Sequence, residues 1–257
     1  MNGPAGIMAL VLAETAVGGA AVLAFTPLRG RVRHAFYKLT GGVLGTTAVL
    51  AFFAARAPLG GFDATGSRAA AFWLLGVVAA IAVVWQVLLW TNETASFYAG
   101  YAMIPAGAGA FAALAALPDA RSNAILGFFQ LAGGAFFLGA VTVGLLLGHW
   151  YLVDRKLPGE PLGRVGQYLL AGSVVAAIMA IAGGGGGASA TTSLSPLLGA
   201  GVLAVAIAVG LAALCTMIAF FIRALVKEGS MQAATGFFYL AVLMGLSAEF
   251  AAKIRFY

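Results

Sequence analysis

The chain has 257 residues, of which 62% are hydrophobic and only 9% are Asp, Glu, Lys or Arg. A soluble domain carries about 25% charged residues because its surface must be wetted, so this chain cannot cover a globule with charge and its outside must face lipid. The net charge of +6 is not a nucleic-acid signal, because the basic residues fall mainly in short loops between apolar runs, where membrane proteins keep them.

A membrane-spanning helix needs about 20 apolar residues, and the chain offers about eight such runs. The expected fold is therefore an all-α, polytopic transmembrane bundle forming one integral membrane domain over 1–257. The first helix is predicted at 4–26. No Lys or Arg precedes it, unlike a cleaved secretory signal with its basic n-region, so it is expected to be retained. A basic loop follows, Arg29-Gly-Arg31-Val-Arg33-His34. The second helix is predicted at 39–57, the third at 69–90 and the fourth at 97–117. Pro105 lies inside the fourth and is expected to kink or break it. Pro118-Asp119-Ala-Arg121 makes the next turn. The fifth helix is predicted at 125–153 and the sixth at 165–182. A glycine run at 183–187 then leads into a Ser/Thr-rich loop ending at Pro196. The seventh helix is predicted at 197–222 and the eighth at 232–252.

Loop charge sets the expected orientation. One side of the membrane holds Arg29, Arg31, Arg33, Lys38, Arg155, Lys156, Arg164, Arg223 and Lys227. The other holds Arg56, Arg68, Arg121, Lys253 and Arg255. The positive-inside rule then places both termini outside, which is periplasmic for a bacterial inner (plasma) membrane. The sequon Asn92-Glu-Thr94 faces the cytoplasm in that arrangement and carries no weight.

A duplication is suggested between halves 1–117 and 125–252. Glu14-Thr-Ala-Val-Gly18-Gly19-Ala20 in the first helix parallels Gln130-Leu-Ala-Gly133-Gly134-Ala135 in the fifth. His34 and His149 follow these at nearly equal distance, each before an aromatic stretch: Phe36-Tyr37-Lys38 and Trp150-Tyr151. Four helices per half would give two parallel units. Gly and Ala are so common in this chain that chance similarity accounts for the match equally well.

Ionisable groups inside a membrane are costly and mark function or internal pairing. Glu14 sits near the middle of the first helix, where a charge costs about 2.5 kcal/mol or more. It serves either proton transfer or a hydrogen bond to a bound polar ligand, or else, as a neutral carboxylic acid, it hydrogen-bonds a neighbouring helix. Glu249 lies toward the end of the eighth helix, where it is expected to reach the interface and pair with Lys253 one turn on. His34 and His149, the two histidines of the chain, fall on one side of the membrane. They suit either ligation of one haem b or contact with quinone carbonyls, for which imidazole both donates and accepts protons. Trp150 and Tyr151 beside His149 are candidate headgroup contacts, or else interfacial anchors like the other Trp and Tyr residues near helix ends. Ala140, Gly144 and Gly148 form a small-residue face suited to close helix packing or to a flat cofactor. Cys215 lies in an apolar run and is expected to be inert. The glycine run lacks the Lys-Ser/Thr of a phosphate loop, and no zinc-protease, serine-hydrolase or haem-attachment motif occurs.

Three classes remain. The first is a membrane subunit of a redox or respiratory complex, contacting quinone at His149 with help from His34 and Glu14. Its four-plus-four layout resembles that of quinol-oxidising membrane subunits, a likeness of architecture and not of motif. It implies partner chains in a larger complex, besides the lipid bilayer. The second is a structural or assembly subunit without a site. The third is a transporter or channel, which Pro105 and Glu14 favour but the shortage of polar residues in the spans opposes.

Overall fold

The computed structural model describes residues 3–118, 123–154, 157–183 and 200–256. Eight helices in it are long and apolar enough to cross a membrane. They are α1 (Pro4–Phe25), α2 (His34–Ala54), α3 (Gly66–Thr91), α4 (Glu93–Ala115), α5 (Ala124–Val153), α6 (Glu160–Ala182), α7 (Ala200–Lys227) and α8 (Met231–Phe256). A single helical turn at Arg56–Leu59 and a 3-10 turn at Gly61–Asp63 link α2 to α3. Asn92 and Asn123 accept the backbone N–H of Ala95 and Leu126, which caps α4 and α5. Eight antiparallel-connected spans put both termini on one face of the bundle, called here the terminal face. The glycine run beyond Gly183, the Ser/Thr-rich loop to Pro196, and Asp119, Arg121, Arg155 and Lys156 lie outside the described residues.

Several helices exceed their expected limits. The second begins at His34 instead of 39, the sixth at Glu160 instead of 165, and the seventh runs to Lys227 instead of 222. Hydropathy marks the apolar stretch and not the helix, and polar turns stay helical where their side chains find partners. His34 reaches the Leu89 carbonyl, Lys38 lies over the Trp90 ring at 4.2 Å, and Glu160 pairs with Arg31. The helix does not break at Pro105, since α4 runs through it.

The centre of the molecule is the crossing of α1 and α5. Each has 72% of its apolar window buried, against 28–44% for the others. Glycine makes the approach. A Cβ on Gly18 would stand 1.6 Å from the Ala135 carbonyl oxygen, and one on Gly139 2.2 Å from the Gly18 backbone, so the two backbones touch. The remaining helices close two rings. In one, α1 packs on α2, α2 on α3, α3 on α4 and α4 back on α1. In the other, α5 packs on α6, α6 on α7, α7 on α8 and α8 back on α5. The expected small-residue face of α5 serves this second ring: Gly144 abuts the Phe238 ring and Gly148 abuts Thr235, both on α8.

On the face opposite the termini, side chains tie the rings together. Arg31 pairs with Glu160, and Arg33 Nε lies 3.4 Å from Asp154 Oδ2. The Tyr168 hydroxyl donates to the Phe25 carbonyl at 2.8 Å, and Phe36 meets Trp150 edge to face at 5.9 Å between ring centroids.

Candidate functional site

Two places in the bundle bring together groups with chemistry. The first is a cavity of about 390 Å³ on the face opposite the termini, between the end of α1, the loop after it, the start of α2, the end of α3 and the start of α4. Its walls are amphipathic. Trp85, Phe97 and Tyr101 present aromatic surface, and Leu23 and Leu89 aliphatic surface. Polar groups come from Arg29, Tyr37 and Ser96. The Arg29 guanidinium lies over the Phe97 ring at 4.6 Å, and the Tyr37 ring packs edge-on to Phe97 at 5.4 Å. Gly100 keeps the space open, because its missing Cβ would meet the Trp85 indole at 3.2 Å.

His34 stands behind this cavity. Its Nε2 is 2.8 Å from the carbonyl oxygen of Leu89, a wall residue. Its Nδ1 is 3.5 Å from Glu93 Oε1, and its ring lies 6.3 Å from that of Tyr37. The expectation of an exposed loop histidine is corrected here: His34 is the first residue of α2, with 23% of its side chain accessible. Nε2 is engaged by the Leu89 carbonyl, while Nδ1, with Glu93 3.5 Å away, makes no hydrogen bond among the described residues.

His149 is exposed on α5 and does not line the cavity. Trp150 is part-buried against Phe36, and its Nε1 has no hydrogen-bond partner among the described residues. Tyr151 is buried and donates to the Pro158 carbonyl, so its hydroxyl holds the turn before α6. Tyr37 and Trp85 are likewise buried and are not the interfacial anchors expected of them. The exposed Trp73, Trp90, Tyr98 and Tyr239 fit that description.

The second place is in the half of the bundle toward the terminal face. Glu14 on α1 is fully buried, and the Lys253 ammonium of α8 stands 2.7 Å from its Oε1. The same ammonium donates to Glu249 Oε2 at 3.1 Å. The pairing of Glu249 with Lys253 agrees with their spacing, but Glu249 is 4% exposed and points inward, against the expectation that it reaches the interface. The helix carries its polar face toward α1, where Gly134 of α5 makes room: a Cβ there would stand 2.8 Å from both Glu14 Oε1 and Glu249 Oε2. One turn before Gly134 on the same face, Gln130 is buried and its Nε2 lacks a partner among the described residues. Glu14 Oε2 also lacks one.

The structure thus gathers Glu14 with Glu249 and Lys253, and His34 with the cavity; His149 belongs to neither group. Sequence reading passed over Arg29, Tyr37, Trp85 and Phe97 as cavity residues. One signal for them was the cluster of aromatic and basic residues around His34. Among the described residues, no group of His, Cys, Asp and Glu side chains is arranged to hold a metal ion.

The fold and these sites define a polytopic helical membrane protein. Compared with known proteins, the chain matches no family model, no curated protein and no solved structure.

Proposed function

We propose that the protein is a membrane subunit of an electron-transfer complex and that it binds a quinone headgroup in the cavity around Tyr37 and Trp85. The observation that carries this reading is the cavity's combination of aromatic walls with a few convergent polar groups, the usual make-up of a cofactor site. A quinone ring is flat, apolar on its faces and hydrogen-bond-accepting at its two carbonyls. Trp85, Phe97 and Tyr101 offer faces to stack on, and the Tyr37 hydroxyl and the Arg29 guanidinium offer donors. His34 is placed to take up or supply a proton at the cavity wall, with Glu93 beside it. On this reading the headgroup sits nearer His34 than His149, whose imidazole faces outward. A haem b held by both histidines is a poorer fit, since His149 is exposed and does not line the cavity that His34 backs.

The same reading places the cavity on the cytoplasmic side and both termini outside, in the plasma membrane, by the excess of basic residues on the cavity's face. It also implies partner chains that carry the electrons onward.

The test is extraction. The protein is purified gently from its native membrane, its bound quinone is extracted and counted, and a reduced-minus-oxidised spectrum is recorded on the same sample. Quinone in proportion to protein is expected, and Gly100→Leu, which fills the cavity, should reduce it at least several-fold while the bundle remains assembled. Protein without quinone or haem in the presence of its partner chains would overturn the redox reading in favour of a structural subunit.

A further inference from the structure

We propose that Glu14, Glu249 and Lys253 form a proton-binding site in which two carboxylates share one exchangeable proton beside the Lys253 ammonium. The cluster is separate from the quinone cavity, and the inference does not depend on that assignment.

Charge counting carries the argument. Glu14 on α1 and Glu249 on α8 are both buried, and among the described residues the cation that both contact is Lys253. Among the described residues, the elements packed around them add no further charge: α5 presents Gly134 and Gln130, α4 meets α1 through Gly107 on Val17, α2 meets it through Leu44 on Gly19, and α6 and α7, which pack on α8, carry their charged residues, Glu160, Arg164, Arg223 and Lys227, at the opposite end. With both carboxylates ionised, the three side chains together carry a net charge of minus one in an apolar interior, which is strongly unfavourable. With one proton added it is neutral. Two acids held close to each other divide into a first and a second ionisation, and the proton belongs to the pair more than to either residue.

The geometry keeps that proton exchangeable. Gly134 lets both carboxylates converge over one point on α5. Among the described residues, Glu14 Oε2, fully buried, is left without a hydrogen-bond partner, and so is Gln130 Nε2 one turn from Gly134. A cluster meant only to hold helices together would close these bonds. The step is simple: a carboxylic acid releases a proton and becomes a carboxylate, Lys253 stays an ammonium, and the cluster passes from neutral to minus one. The ammonium already fills the position between the carboxylates that a metal cation would take, so the ligand is a proton.

Infrared difference spectroscopy of the full chain in liposomes, stepped between acid and alkaline buffer, reads the carboxylic C=O band directly. One titrating carboxylic acid per chain is expected, lost in the doubly substituted Glu14→Gln/Glu249→Gln protein. In Lys253→Met the acid-state band should grow about twofold, since two acids then hold protons. A band that does not respond to pH, or one unchanged in the double variant, would overturn the proposal. So would displacement of the band by sodium at constant pH, which would assign the site to a metal cation. Should the double variant fail to fold, labelling of the unaltered protein with dicyclohexylcarbodiimide decides: reaction at Glu14 or Glu249 that falls off in alkaline buffer supports the shared proton, and absence of labelling at both refutes it.

Discussion

A single ammonium serving two buried carboxylates makes Lys253 sensitive to substitution. Removing one partner of a buried ion pair strands the other charge and costs about 3–5 kcal/mol. Lys253→Met should therefore lower the thermal unfolding midpoint in detergent. Protonating the stranded carboxylates offsets the loss, so the difference from the unaltered protein should shrink in acid buffer. Gly134→Ala tests the same point from the other side. Its Cβ would press on both carboxylates at 2.8 Å, and these are ends of flexible side chains that can swing aside. Folding should survive, at a cost of about 1–3 kcal/mol, while the infrared signature of the pair is lost. At the cavity, Tyr37→Phe removes a donor without changing shape. Bound quinone should fall several-fold with no shift in unfolding temperature, and an unchanged quinone content would exclude the Tyr37 hydroxyl as a contact.

At the scale of helices, the α1–α5 crossing has no tolerance for added volume. Gly18 would place a side-chain carbon against the Ala135 backbone, which cannot rotate away as a side chain can. Gly18→Val should abolish assembly, measured as loss of the monodisperse species in size-exclusion chromatography, whereas the open position Gly109→Val, with no atom near its Cβ, should leave it intact. This contrast explains what could be read from the chain beforehand. The eight spans were legible because length and hydropathy alone decide them in lipid. Glu14 was legible because a carboxyl amid apolar residues stands out whatever its neighbours. Its partners were not. Glu249 and Lys253 lie near a helix end, where they could equally have turned toward the interface, and only the packing of α8 against α1 turns them inward. The cavity was hidden for a related reason. It is assembled from four helices and a loop, and Trp85 taken alone looks like any tryptophan near a membrane surface. His149 stood out by rarity, and rarity did not predict its exposed position on α5.

For the whole molecule, the two rings have the same order of neighbours, each closed by its first and fourth helix and joined through α1 and α5. We propose that they are two parallel copies of one four-helix unit, with Glu14 and Gln130 in corresponding places. Cutting the chain in the loop between Ala115 and Ala124 and expressing the two parts together should yield a bundle that purifies as one species. Parts that never associate would count against self-sufficient units. Orientation is tested by labelling single cysteines from either side of intact cells. A cysteine at Glu228 should be protected from an impermeant reagent, and one at Asp63 should react.

The crossing of α1 and α5 also has an electrical meaning. Along α1 it lies between Glu14 and the cavity residues Ala20, Leu23 and Ala24, and where the two backbones touch no water fits between them. A membrane voltage falls across dry layers of this kind, the seam and the buried cluster beyond it included. A proton passing from the cavity's side to the carboxylate pair would cross that drop, and each elementary charge moved through the full membrane potential changes its energy by about 2.3 kcal/mol per 100 mV. The occupancy of the pair would then follow the state of charge of the membrane as well as the acidity of the water around it.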